Sequence, residues 1–235
     1  MSETVFIPGR FNGPLESGQG GYSSGVVAAF LEGATEVSLR SPVPLDTPLE
    51  VVREADGSVR MMDGEALVAD GRPAPELEVE VPAPVSPDEA RLAAARYRGR
   101  SEGQLSRCFV CGRAREDAFG VFAGAVEGRR LVASPWTPPP WTAGEEGHVQ
   151  PEFVWAVLDC PTYFALYMSG ELPASVVARF TARIDAPVVA GEEHVAIAWP
   201  IETDGRKQYA GSAVLSPDGD TLAVAQALLI EPRTE

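Results

Sequence analysis

Lysine is almost missing from this chain. Lys207 is the one example, the other eighteen cations are arginine, and histidine occurs twice. Bases of both kinds total 19 against 34 acids, a net charge of −15 with a pI near 4.6. Such a surface repels phosphate backbones and anionic membranes, which excludes nucleic acid and membrane surfaces as partners. Any site for a phosphate must therefore be local. The arginine bias, with heavy alanine, glycine and proline usage, reads as genome composition. Long apolar runs are absent too; Val26–Leu31 and Ala227–Ile230 are far too short to span a bilayer. Met1–Thr4 offers neither the basic nor the apolar region of an export signal, so a reducing cytoplasm is the expected location. Cys108, Cys111 and Cys160 cannot all pair, and reduced thiols fit that compartment. The CxxC supplies two zinc ligands where a structural site needs four, and His148 and His194 lie far along the chain, so no metal is expected. No P-loop and no dinucleotide fingerprint occurs.

What is present is a plan used twice. Val5–Phe11 is apolar and β-prone. Ser17–Gly21 then leads into a helix over Tyr22–Glu32 that stops at Gly33. Short strands are expected at Glu36–Leu39, Leu49–Glu54, Val59–Met62 and Glu65–Val68, with Asp56-Gly57 and Asp63-Gly64 as turns. Gly71–Pro87 is rich in proline and acid, with one edge strand at Leu77–Val81. Ser86-Pro87-Asp88-Glu89 starts a helix running to about Arg98, and Gly99–Ser106 is a loop. The second half opens with a hairpin of Phe119–Ala125 and Arg130–Ser134. Pro151–Met168 follows as an apolar helix interrupted at Pro161. Strands are then expected at Ser175–Ile184, His194–Glu202, Lys207–Leu215 and Thr221–Ile230. Arg40 stands four before Pro44 and Arg183 four before Pro187, each ahead of a strand, so the halves echo one another. This predicts an α+β architecture divided at 1–85, a linker with a short helix at 86–104, and 105–235.

Two motifs bear on chemistry. Gly21-Tyr22-Ser23-Ser24-Gly25 fits a nucleophile elbow in letters, but no buried parallel strand precedes it, so small residues packing a helix on a sheet is the better reading. In the second helix Phe153–Leu158 is wholly apolar before Asp159. A helix apolar on all sides is buried, and a carboxylate within it is costly unless paired or functional. Asp159 is therefore either a functional carboxylate or a local cap where Cys160-Pro161 distorts the helix. Glu152, in the first turn, suits the helix dipole.

These residues also carry a resemblance. Gln19-Gly20-Gly21 is similar to the His-Gly-Gly lead-in to the central helix of hot-dog acyl-CoA thioesterases of the phenylacetate-pathway type. Leu158-Asp159 falls in register with their Leu-Asp pair, nine positions after Gln150, with Pro151 and Glu152 in the glycine places. Cys108-Phe109-Val110-Cys111-Gly112 resembles a segment that leads into their first strand, which makes the cysteines a packing feature. Nine positions after Gln19 stands Ala28, so one half keeps the glycines and the other the aspartate.

The resemblance implies a double hot-dog fold, two long central helices each wrapped by antiparallel sheet. It implies an acyl-CoA or acyl-carrier thioester hydrolase with one site between the halves. Asp159 would be general base or nucleophile, with Gly21 and Gln19 polarising the carbonyl. Gly20, Tyr22, Gln150, Glu152, Trp155 and Tyr163 would line the substrate, the acyl chain lying between the helices. No cofactor is implied beyond CoA carried in by the substrate, and a homodimer or higher homo-oligomer is compatible. A non-catalytic acyl-binding protein and a hot-dog hydratase using His148 are the alternatives; the hydratase string Asp-x-Asn-Pro-x-His is absent.

Overall fold

A computed structural model of the chain describes residues 2–99, 102–103, 105–169, 172 and 175–231. The expected Gly99–Ser106 loop thus lies partly outside the described residues, as do the last four positions. The first half comprises β1 (Ser2–Val5), α1 (Gly20–Ala28), β2 (Thr35–Leu39), β3 (Leu49–Arg53), β4 (Val59–Asp63) and β5 (Ala66–Pro73). After α2 (Pro87–Ala94) come β6 (Gly124–Ala125), β7 (Val132–Trp136), α3 (Pro151–Leu166), β8 (Val176–Ile184), β9 (His194–Asp204), β10 (Lys207–Leu215) and β11 (Thr221–Ile230).

The eleven strands among the described residues form one antiparallel sheet in the order β1-β3-β4-β5-β2-β8-β11-β10-β9-β7-β6. Outward from the central β2–β8 pair the two sides match strand for strand, except that β6 adds a short sixth strand beyond β7. The order β2-β5-β4-β3-β1 on one side answers β8-β11-β10-β9-β7 on the other. Thr35 to Ser38 of β2 pair with Ala182 to Arg179 of β8, so the ladder runs unbroken across the midline. The echo of Arg40 and Arg183 falls at the ends of these two equivalent strands. Four turn glycines, Gly57, Gly64, Gly205 and Gly219, have positive φ, which a tight hairpin needs and glycine adopts without strain.

One face of the sheet carries α1 and α3 and the main core, including Val27, Phe109, Trp155, Leu158 and Phe180. The opposite face of the second half carries a smaller core. There Ala90 and Ala93 of α2 and, from the segment before it, Leu77 and Val85 cover Val195, Ile197, Trp199 and Leu215. Burial on both faces explains why β9 starts with an apolar run rather than an alternation.

Several expectations are corrected. The first helix is nine residues long, not a long helix to Glu32. Beyond Ala28 the chain tightens, Phe30 N bonding Val27 O and Leu31 N bonding Ala28 O. The apolar β-prone start is a strand only to Val5, with a short 3₁₀ turn at Gly9–Phe11. Leu77–Val81 keeps its alternation of burial but forms no ladder; it lies over the second core, where Arg183 donates to Leu77 O. Of Phe119–Ala125 only Gly124–Ala125 pairs with β7. The middle helix ends at Ala94 rather than near Arg98, though its Ser86–Glu89 capping box forms as its residues suggest. Conversely, α3 is continuous through Pro161, a position that removes one backbone donor without ending the helix.

Candidate functional site

Helices α1 and α3 pack backbone to backbone because α1 carries glycines one turn apart. A Cβ on Gly21 would stand 2.3 Å from Trp155 O and 2.6 Å from Asp159 Cβ; one on Gly25 would stand 2.6 Å from Glu152 Cα. As α1 advances from Gly21 to Gly25, its contacts on α3 recede from Asp159 to Glu152, so the helices run antiparallel. This places the N-terminus of α1, with its orphan N–H groups, on the middle of α3.

Asp159 meets that N-terminus. Its Oδ2 accepts from Gly21 N at 2.9 Å and from Gln19 Nε2 at 2.6 Å. Gln19 is 2 % exposed and is the N-cap of α1. Its Oε1 accepts the Tyr22 N–H at 2.6 Å, which fixes the amide so that Nε2 must face Asp159. The same Nε2 lies 3.3 Å from Ala156 O and 3.5 Å from Cys160 Sγ. Burial pushes the Asp159 carboxyl up to about 7; the Gly21 hydrogen bond opposes that rise and the charge of Cys108 adds to it. A carboxyl titrating near neutrality beside helix N–H donors can exchange a proton with water and face a polarised carbonyl.

Of the other expected site residues, Gly20 joins this cluster and the rest pack elsewhere along the two helices. Gly20 begins α1, and a Cβ there would meet Val177 Cγ1 at 2.8 Å and Asp159 Oδ2 at 3.1 Å. Tyr22 is buried among Phe11, Phe109 and Phe153, its ring 4.5 Å from that of Phe11, and burial holds its hydroxyl well above the ordinary tyrosine range. Trp155 is a core contact against Phe180 and the α1 backbone. Gln150 caps α3 without a side-chain cap bond and reaches Thr142 O at 3.4 Å. Glu152 is half-buried beside Gly25, and burial raises its carboxyl. Tyr163 packs against Phe164 and Tyr167. The structure thus gathers Asp159, Gln19, Gly20 and Gly21, while Glu152 meets Gly25 and Gln150 turns to Thr142 O. It also corrects the expected acyl path: the α1–α3 contact is closed, so a chain cannot thread between these helices at Gly21.

Ser23, the elbow-pattern serine, is fully buried with no hydrogen-bond partner for its hydroxyl, which ends the nucleophile reading. His148 is on the outside, 4.0 Å from Glu146, not beside Asp159.

Two features escaped the sequence. Cys160 joins Cys108 and Cys111 in a cluster whose Sγ atoms all lie within 4.8 Å of one another. A cavity of about 220 Å³, beside the loop leading into α1, is lined by Arg10, Arg107 and Arg115 together with Gly9, Asn12, Leu15 and Asp117. Arg10 lies over the Trp141 ring at 4.5 Å, and Arg115 bonds Asn12 Oδ1 at 2.7 Å. Among the described residues no helix is long and apolar enough to cross a membrane.

No family model and no curated protein matches the chain by sequence. Solved structures match across its length. A protein of Novosphingobium aromaticivorans described as a putative thioesterase superposes at a TM-score of 0.65 with 12 % identity, over 99 % of this chain and 96 % of its own. The tesB protein of Mycobacterium avium subs paratuberculosis gives 0.63 with 13 % identity over 99 % and 93 %. A protein of unknown function from Alicyclobacillus acidocaldarius, described as having a hot dog fold, gives 0.62 with 14 % identity over 100 % and 93 %. Together with the antiparallel sheet and its helices, this likeness shows that the chain has the hot-dog fold.

Proposed function

We propose that the chain is a double hot-dog thioester hydrolase. Its halves would be 1–85 and 105–235, bridged by 86–104, with one active site where Asp159 meets the N-terminus of α1. One observation carries the reading: Gly21 N–H and Gln19 Nε2 converge on the same oxygen of Asp159. An incoming thioester oxygen takes over the Gly21 N–H, with Gln19 as a second donor. Asp159 is thereby released to accept a proton from water as the water attacks the carbonyl carbon. Collapse of the tetrahedral intermediate expels the thiolate, which receives that proton. Attack by Asp159 itself, giving an anhydride, is the variant of this route.

Acyl-CoA or acyl-carrier thioesters, held in the cytoplasm, are the substrate class. The phosphates of the carrier arm need a local basic site on a chain of net charge −15, and Arg10, Arg107 and Arg115 cluster beside the loop leading to Gln19. The second reading, a non-catalytic acyl binder, is favoured by an Asp159 oxygen already supplied with two donors. A panel of acyl-CoA thioesters followed by thiol release separates the two. Turnover that falls by roughly 10²–10⁴ in Asp159→Asn supports hydrolysis. Saturable binding without turnover in the unaltered chain overturns it.

A further inference from the structure

The CxxC segment and α3 come from distant parts of the sequence, yet they place three thiols face to face. Cys108 and Cys111 sit on a tight turn in which Gly112 N bonds Cys108 O at 2.8 Å. Glycine is required after the second cysteine: a Cβ at Gly112 would stand 2.5 Å from Ser106 O and 2.6 Å from both Cys108 N and O. Cys160 enters from α3, its Sγ 3.8 Å from that of Cys108, and all three sulfurs lie within 4.8 Å of one another. Thiolates 2.3 Å from a tetrahedral zinc stand about 3.8 Å apart, so this spacing suits one shared ion.

Simple packing accounts poorly for the arrangement. The three cysteines lie in or against the main core, where a buried thiol packs as a small hydrophobe, but packing alone does not call for three sulfurs to face one another. A disulfide accounts poorly too, since it would use two thiols and strand the third, and no pair is at bonding distance. Soft thiolate ligands select zinc-class ions over hard cations.

We propose that Cys108, Cys111 and Cys160 bind one thiophilic divalent ion of the zinc class, with a solvent-derived fourth ligand. Each thiol gives its proton to solvent on ligation, and no oxidation state changes. The ion would tie the 105–112 segment to α3 one residue from Asp159. The inference goes beyond the thioester reading and stands without it.

The test uses the full chain, reduced, stripped with chelator without unfolding and titrated anaerobically with cobalt(II). The expected result is about one cobalt per chain, with thiolate-to-metal charge-transfer absorption and tetrahedral visible bands, displaced by zinc(II). Loss of a single outer-shell partner already weakens metal sites 10–100-fold, so Cys160→Ala, shown folded by circular dichroism, should lose more than about 100-fold in affinity. Should that variant not fold, alkylation of the unaltered chain counted by mass spectrometry decides: zinc(II) should shield all three cysteines together. Absence of charge-transfer absorption in the reduced chain overturns the proposal. So does unchanged affinity in folded Cys160→Ala, or loss of two thiols to a disulfide with no metal uptake.

Discussion

The paired helices make two comparable junctions, and they differ in chemistry. At the first, the α1 N-terminus presents Gln19, Gly20 and Gly21 to Asp159, whose Oδ2 accepts from both the Gly21 N–H and the Gln19 amide, while the Gln19 carbonyl accepts from Tyr22 N. At the second, the α3 N-terminus presents Gln150, Pro151 and Glu152 to the other end of α1, where Gly25 meets Glu152 and Ala28 stands where an aspartate would be equivalent. Pro151 has no N–H to give, and the Gln150 side chain turns to Thr142 O. One backbone plan therefore holds a polar cluster at one junction and a packing contact at the other. On the proposed double hot-dog reading, the two halves of one chain mutate independently, which a dimer of identical chains cannot do.

The largest difference expected between the junctions is in turnover. Asp159→Asn should lower kcat by roughly 10²–10⁴, whereas Glu152→Gln should leave it within about twofold; equal losses in acyl-CoA assays would dissolve the asymmetry. Next comes packing. Gly21→Ala drives a methyl into Trp155 O and Asp159 Cβ and should cost about 1–3 kcal/mol, read from the shift in denaturant midpoint. Ala28→Gly, at the second junction, fills no such contact and should cost only the helix-propensity difference, under about 1 kcal/mol.

The glutamines offer a finer comparison. Gln19→Ala leaves the buried Tyr22 N–H and an Asp159 oxygen short of partners, for about 1–3 kcal/mol. Gln150→Ala gives up one 3.4 Å contact and should fall within about 0.5 kcal/mol. The smallest effect sharpens the comparison from the other side. Ala28→Asp should add no measurable turnover to an Asp159→Asn background, because the facing helix start offers Pro151 in place of a donor. Restored hydrolysis there would show that the second junction keeps a working oxyanion site.

Much of the frame is legible residue by residue. Lys207–Leu215 and Thr221–Ile230 form strands with those bounds, since β-prone runs between aspartate-glycine turns need no distant information. Ser86 and Glu89 mark a helix start by their own reciprocal bonds. The misread elements are those whose state depends on partners. Leu77–Val81 alternates like a strand but has no neighbour to bond, and α1 looked longer because its apolar run continues past the point where the chain tightens.

The same division holds for the site. Sequence alone determined the acidic surface, the repeated helix-and-strand order, the turns, and a carboxylate set in an apolar helix, because charge, periodicity and glycine chemistry are local properties. The resemblance already implied that Asp159, Gly21 and Gln19 share a site; only the tertiary structure decided that both donors meet one oxygen of Asp159, that Cys160 completes a three-thiol cluster with Cys108 and Cys111, and that three arginines share a cavity. Those pairings span from about 50 to about 140 positions of chain. They are set by how closely glycine lets two helices approach and by one sheet closing across two halves, which are properties of packed surfaces and not of neighbouring letters.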